Sequence, residues 1–185
     1  MSVQLQSARL VLRDWQKVDF EPYRKWNTGH HRWMDFDGPY YPKRSPEALE
    51  QEIERLKQPS SQIVRSRMVI ADAESNQLLG TVNWYWESQE TNWMSIGVAI
   101  YDDRLWGKGL GFEAMQLWCS HLFASYPELV RLDMRTWSGN AGLMRLAEKL
   151  GFKLEARFRM ARVVDGVYYD GLGYGVLRSE WEGKK

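Results

Sequence analysis

The sequence predicts an α/β (α+β) protein with a central mixed, mostly antiparallel sheet of about seven strands flanked by about four helices. Three observations predict it. Short runs alternating apolar and polar residues recur along the whole chain. Three of these, 66–72, 78–87 and 93–101, follow one another with only short polar turns between them and read as an antiparallel meander. The segments around them carry apolar residues at helical spacing, and a glycine-rich turn leads from the third meander strand into one such helix.

In chain order, residues 8–14 alternate Ala8, Leu10 and Leu12 with Arg9 and Val11, as a strand does. Phe20, Tyr23 and Trp26 then sit at near-helical intervals within 16–26. The breaker-rich GHHRWMDFDGPYYPKRS reads as a loop, and Ser45-Pro46-Glu47 supplies an N-cap and a proline at the first position of a helix reaching about Lys57. After the meander, a helix starting near Phe112 presents Ala114, Met115, Leu117, Trp118, Leu122 and Phe123 on one face, with Cys119 beside it as a packing residue. Val130 to Thr136 reads as a strand and Asn140 to Leu150 as a helix. Phe152 to Arg162 and Val167 to Arg178 read as a hairpin about Asp165-Gly166. No repeat or second domain shows, and one domain over 1–185 is expected.

Composition excludes several classes. Lys and Arg total 25 against 24 Asp and Glu, leaving a net charge of +1, so direct nucleic-acid binding is not expected. A single cysteine cannot close an intramolecular disulfide, and neither a leader peptide nor a membrane span is visible; a cytoplasmic protein is expected. His30, His31 and His121 form no ligand set, so no metal is expected. Ten tryptophans and nine tyrosines supply core volume, and Trp33, Trp84 and Trp86 are candidates for an aromatic substrate cleft, because ring faces bind a cationic amine without a buried countercharge.

The segment YDDRLWGKGLGFEAM, Tyr101 to Met115, carries the chemistry. Gly107, Gly109 and Gly111 remove every second Cβ, so several N–H groups can converge beside the positive end of a helix dipole. Lys108 and Arg104 add mobile positive charge to this seat for an anion, most simply a pyrophosphate. A nucleoside-triphosphate loop needs Gly-Lys followed by Ser or Thr, and Lys108 is followed by Gly109. A dinucleotide fingerprint needs its third glycine one position later and an early βαβ unit.

Trp106-Gly107-Lys108-Gly109-Leu110-Gly111 resembles instead the coenzyme A pyrophosphate loop of the GNAT superfamily of N-acetyltransferases, with Trp106 where the pattern has Arg or Gln. A WGKG turn followed by Glu-Ala, here Glu113-Ala114, is familiar in the branch resembling ribosomal-protein N-terminal acetyltransferases. Thr136 to Phe152 resembles the superfamily's second block through Asn140, Glu148, Lys149, Gly151 and Phe152. SARLVLRDW and the closing hairpin resemble the branch's first strand and last hairpin. The resemblance is weakest between about Trp26 and Arg65.

The resemblance implies a sheet splayed around an acetyl-CoA site, with acetyl-CoA as co-substrate. Val98 and Ile100 would pair with the pantetheine arm, the 107–111 amides would hold the pyrophosphate, and Asn140 would bond the arm as well as cap its helix. The Tyr that donates a proton in many relatives is replaced by Ala147, leaving Ser138 as the nearest hydroxyl. Glu155 is the first candidate for a base that deprotonates the ammonium. The expected activity is direct acetyl transfer to a primary amine, on a protein N-terminus or a small molecule. A polyamine or antibiotic acetyltransferase is one alternative, with Asp35, Asp37 and Glu87 as an acidic mouth. A silent coenzyme A-binding sensor or interaction module is the other, and a homodimer is left open.

Overall fold

A computed structural model describes residues 4–183. Its strands are β1 (Gln4–Gln6), β2 (Leu10–Arg13), β3 (Arg67–Asp72), β4 (Leu78–Ser88), β5 (Trp93–Ile100), β6 (Arg131–Trp137), β7 (Lys153–Val164) and β8 (Val167–Leu177). Its α-helices are α1 (Phe20–Trp26), α2 (Pro46–Lys57), α3 (Leu110–Ser125), α4 (Ala141–Lys149) and α5 (Arg178–Glu182). Among the described residues the strands form one sheet in the order β1-β2-β3-β4-β5-β6-β8-β7. No helix of the described residues is long and apolar enough to cross a membrane.

The expected elements are present with small shifts, and two more join them. The strand expected over 8–14 is β2, Leu10–Arg13, and before it the chain folds back at Ser7, whose hydroxyl bonds Leu10, so that a further short strand, β1, pairs with β2. β1 is the polar tripeptide QLQ and offers no apolar alternation to read. At the other end the strand stops at Leu177, where the Glu180 carboxylate accepts from the Leu177 N–H and starts α5. Local chemistry explains the boundaries that were legible. Ser45 caps α2 by accepting from the Ala48 N–H at 3.2 Å, with Pro46 in the first position. Asp165 (φ 49°) and Gly166 (φ 76°) form the two-residue turn of the β7–β8 hairpin, both left-handed as that turn requires.

Alternation along β3 divides the core. Met68 and Ile70 face a cluster with Met115, Trp118 and Leu122 of α3 and Ala147 of α4, whereas Val69 and Ala71 face Phe20 and Tyr23 of α1 and Leu49, Ile53 and Leu56 of α2. A buried bidentate pair fastens the entry to α1: Arg13 donates to Asp19 at 2.7 and 2.9 Å.

One irregularity of the sheet positions everything that follows. β5 and β6 run parallel but pair only over Trp93–Ser95 and Arg131–Asp133. Beyond Ser95, β5 stays with β4 and β6 stays with β8, so the two strands diverge and leave a gap through the sheet.

Candidate active site

The glycine run lies at the mouth of this gap. After a 3-10 turn at Asp103–Leu105, Gly107 (φ 73°) and Gly109 (φ 85°) take left-handed backbone, which costs an L-side chain roughly 1–2 kcal/mol. Gly109 is the N-cap of α3, so the helix begins two residues before the expected Phe112 and Gly111 lies in its first turn. No side chain of the described residues caps that end, so its amides remain open to an anion. A Cβ at Gly107 would meet nothing within 4 Å, and one at Gly111 only Leu146 at 3.6 Å. Internal packing therefore does not require bare backbone at these two positions.

Arg9, in the turn before β2, orients the loop. It donates from Nε to Glu113 at 2.8 Å and from Nη1 to the Lys108 carbonyl at 2.8 Å. Because a trans peptide places C=O and N–H on opposite sides, the Gly109 N–H then points away from Arg9. Burial pushes the Glu113 carboxyl up, but hydrogen bonds from Ser7 and Arg9 and the Arg9 charge outweigh it and hold it below the ordinary carboxylate value. The pair stays ionised at neutral pH. Trp106 closes the end of β5 by donating to the Ile100 carbonyl at 2.8 Å.

A groove of about 630 Å³ runs from this turn along α4 into the gap. Trp106, Gly107, Gly109, Leu110 and Gly111 line it at one end, Val98 and Ile100 along the open edge of β5, and Asn140 with Arg145 and Lys149 on the α4 side. The loop between α1 and α2 bridges the gap. The Phe36 ring packs edge-on against Trp106 at 5.5 Å, and the Phe36 carbonyl accepts from Trp137 Nε1 at 3.1 Å and Asn140 Nδ2 at 3.2 Å. Asn140 also caps α4, accepting from the Leu143 N–H at 3.0 Å.

A second cavity, about 210 Å³, lies on the α1 and α2 side of the sheet. Its lining includes Asn27, Arg44, Arg67, Asn83, Tyr85 and Ser95, and it shares Trp33, Asp37, Val98, Ala99, Arg135 and Leu143 with the groove. The two cavities therefore meet through the gap. Arg44 and Arg67 both pair with Glu52, which leaves Asp37 only their longer-range attraction. Desolvation prevails over that attraction and pushes the Asp37 carboxyl above its ordinary value. Arg135 pairs with Glu87 at 2.7 Å and lies 3.6 Å from Asp133, whose carboxyl is also pushed up by burial.

The expected site residues divide accordingly. Val98, Ile100, Trp106, Gly107, Gly109, Leu110, Gly111 and Asn140 line the groove, and Trp33 lines both cavities. Lys108 does not line either; it is exposed, and its carbonyl is turned to Arg9. Trp84 and Trp86 are corrected from cleft to core: they pack edge-on against each other and against Tyr126 in the α3-side cluster, because β4 alternation turns them away from the acceptor-side cavity.

Glu155 is likewise misplaced as a base. It sits at a β7 bulge beside Gly175 and pairs with Arg131, level with the closed end of β5 and β6. The Ser138 hydroxyl accepts from the Asp170 N–H at 3.0 Å and does not line the groove. Asp35 pairs with His30, and Glu87 with Arg135, so Asp37 is the acid of that group which lines the passage between the cavities. Arg9, Phe36, Arg67, Asp133 and Arg135 were not singled out from sequence. The alternating charges of Arg131, Asp133 and Arg135 within a strand of the core were the readable sign of a polar face.

A diverging parallel strand pair, an uncapped helix N-terminus behind a glycine turn and a passage through the sheet meet in one place. The Acetyltransferase (GNAT) domain family matches residues 9–153, and the chain belongs to that family. The SPbeta prophage-derived uncharacterized N-acetyltransferase YokL of Bacillus subtilis (strain 168) is 28% identical over 113 residues, which are 61% of this chain and 63% of that protein. Ribosomal-protein-S5-alanine acetyltransferase from Vibrio fischeri superposes with a TM-score of 0.78 at 18% identity, over 97% of this chain and 98% of that one. Spermidine N-acetyltransferase from Vibrio cholerae, solved with CoA and spermine, gives 0.74 at 19% identity, over 95% and 99%. At these identities the two structures establish the fold alone.

Proposed function

We propose that the chain, as one GNAT domain, transfers an acetyl group from acetyl-CoA to a primary amine within a ternary complex. The carrying observation is the junction of the two cavities at Asp37, Val98, Ala99 and Arg135, where a thioester from the groove side and an amine from the other side can meet. The residues present fit the coenzyme. Open amides at the start of α3, with Arg145 and Lys149 opposite, suit a pyrophosphate, and the β5 edge from Ile96 to Ile100, which has no strand on its β6 side, suits an amide-bearing arm. Acetyl-CoA supplies the activated acyl group and a thiol leaving group.

The chain's own residues do the rest. Asp37 accepts the proton from the incoming ammonium, directly or through one water; the protein packed around it raises its carboxyl above the ordinary value, which makes it a better base than an ordinary aspartate. Backbone N–H groups on the open β5 edge polarise the carbonyl oxygen of the thioester. A thiol with pKa near 8.5 leaves as thiolate without a strong acid, consistent with Ala147 where many relatives carry Tyr. One observation favours the silent coenzyme A-binding reading: the Phe36 carbonyl takes both donors, Trp137 and Asn140, on the groove's far wall.

Thermal shift and thiol release decide between these. Acetyl-CoA at about a hundredfold over its Kd should stabilise the fold by roughly 2.7 kcal/mol, with NAD and ATP doing far less. Thiol should then appear on addition of a suitable amine. Binding without release across an amine panel identifies the silent module, and a larger shift with NAD or ATP removes the coenzyme assignment.

A further inference from the structure

Two side-chain hydroxyls line the groove among the described residues, those of Tyr40 and Thr136. Tyr40 belongs to the bridging loop and packs beneath the Arg162 guanidinium, whose Cζ stands 4.8 Å from the ring centre, on the side of the last hairpin. Thr136 belongs to β6, on the stretch where that strand has left β5. The last paired residues are Ser95 and Asp133, so Val98 and Thr136, each three positions further on, flank the gap at the same level. Both side chains point to the α3 and α4 side, because they continue by strand alternation the row that begins with Met94 beside Leu132.

Thr136 is 6% exposed, and its hydroxyl oxygen is buried with no hydrogen-bond partner among the described residues. Leu132 and Met134, which precede it on β6, are both apolar core. An unpaired buried hydroxyl destabilises a fold, and valine would fill the same space without that penalty. The direction of transfer gives the hydroxyl a task. With the amine arriving from the acceptor-side cavity and the coenzyme from the groove, the sulfur departs on the groove side, to which Thr136 points. The helix on that side, α4, has the sequence AGLMRLAEK and brings no hydroxyl of its own.

On the acetyltransferase reading above, we infer that the Thr136 hydroxyl donates a hydrogen bond to the departing sulfur. As the C–N bond forms and the C–S bond breaks, the electron pair of the C–S bond goes to sulfur, and the Thr136 O–H points at that pair without surrendering its proton. Asp37 takes the ammonium proton, and water supplies the one that completes the thiol. The same contact exists in the complex with coenzyme A itself, so it can be read without turnover.

Ultraviolet titration of the thiolate of bound coenzyme A, taken as complex minus free protein, reads the contact directly. Thr136→Val should raise the pKa of the bound thiol by about half a unit to one unit, a roughly three- to tenfold loss of preference for the thiolate. Thr136→Ser, which keeps the hydroxyl, should hold the wild-type value. The valine variant should lose about three- to tenfold in kcat, with acetyl-CoA affinity by calorimetry within about twofold of wild type. Without ligand it should melt no lower than wild type and up to about 2–4 °C higher, since it sheds an unpaired buried group. Should valine prevent folding, Thr136→Ala removes the same hydroxyl and gives the same thiol titration.

An unchanged thiol pKa in the valine or alanine variant overturns the inference, and a shift in Tyr40→Phe instead assigns the contact to the other hydroxyl. A ligand-free valine variant that melts more than about 2 °C below wild type also overturns it, because the hydroxyl would then serve the fold. In each of these cases acetyl-CoA binding and thiol release by the wild type would leave the acetyltransferase reading standing. Wild-type protein that binds neither coenzyme A nor acetyl-CoA removes both together.

Discussion

The two sides of the gap in the sheet are built by opposite means. On the α3 and α4 side, the groups poised for an anion are backbone amides of residues 107–111, consecutive in the chain and open because two glycines are left-handed and no side chain caps the helix. On the α1 and α2 side, the cavity's charged lining is made of side chains drawn from separate segments: Asp37 from a loop, Arg44 before α2, Arg67 from β3 and Arg135 from β6. A backbone site survives wide sequence change provided that the glycines stay. A side-chain site can change its ligand without disturbing the fold, which is why neighbours at 18–19% identity share this architecture while their names specify different acceptors.

The largest expected effect strikes the side-chain half. Asp37→Asn should lower kcat/KM by about 10²–10⁴-fold while leaving acetyl-CoA affinity near wild type by calorimetry. Stability should move the other way. The folded-state pKa of Asp37 is raised, so the stability it contributes is fully present below the unfolded carboxylate value of about 3.9 and is lost as pH rises through the folded value. Asp37→Asn should therefore melt higher than wild type at neutral pH, with the difference closing in acid. A variant of wild-type rate would move the proton transfer to water and reduce the acceptor side to positioning.

Gly109→Asp attacks the backbone half. A side chain at φ 85°, carrying negative charge beside the open amides, should weaken acetyl-CoA binding by at least about tenfold, or about 1.4 kcal/mol. The thiol-release rate at saturating coenzyme should change much less. Unchanged affinity in folded protein would break the comparison by removing the anion from the glycine turn.

Asn140 straddles the two halves, since its amide caps α4 and holds Phe36 across the gap. Asn140→Ala should cost about 1 kcal/mol of stability from the lost cap, a drop in Tm of about 2–4 °C at this chain length. If the Phe36 tie closes the groove, its loss should offset part of any lost coenzyme contact, so affinity should fall by less than in Gly109→Asp. Isothermal titration on both variants ranks them directly.

Glu155→Gln should do least. With its carboxylate on Arg131 at the closed end of the strands, kcat/KM should stay within about twofold of wild type and stability should fall by no more than about 1 kcal/mol. A large loss that shrinks at alkaline pH would return Glu155 to the role of base.

Much of the fold was legible because its signals are local. Apolar alternation marked β3 to β8, and Ser45 with Pro46 marked α2. Asp165-Gly166 marked the last hairpin. β1 escaped because a polar tripeptide acquires its strand state only from pairing with β2. Trp84 and Trp86 were read as cleft because an aromatic cluster in sequence does not reveal which face of the strand is core. Glu155 was read as a base from its place in a pattern, whereas the bulge beside it and the Arg131 charge decide where its carboxylate goes.

The sequence by itself determined the order of strands and helices from β2 to β8 and the glycine turn before α3. Each of these depends on residues within a few positions of one another, where backbone geometry and capping act. The tertiary structure alone decided where β5 and β6 part, that two cavities join through the parting, and that Asp37 reaches the junction while Glu155 does not. Those outcomes depend on side chains from distant segments lining one space, and the forces that set them, desolvation against charge, exist only once the chain has folded.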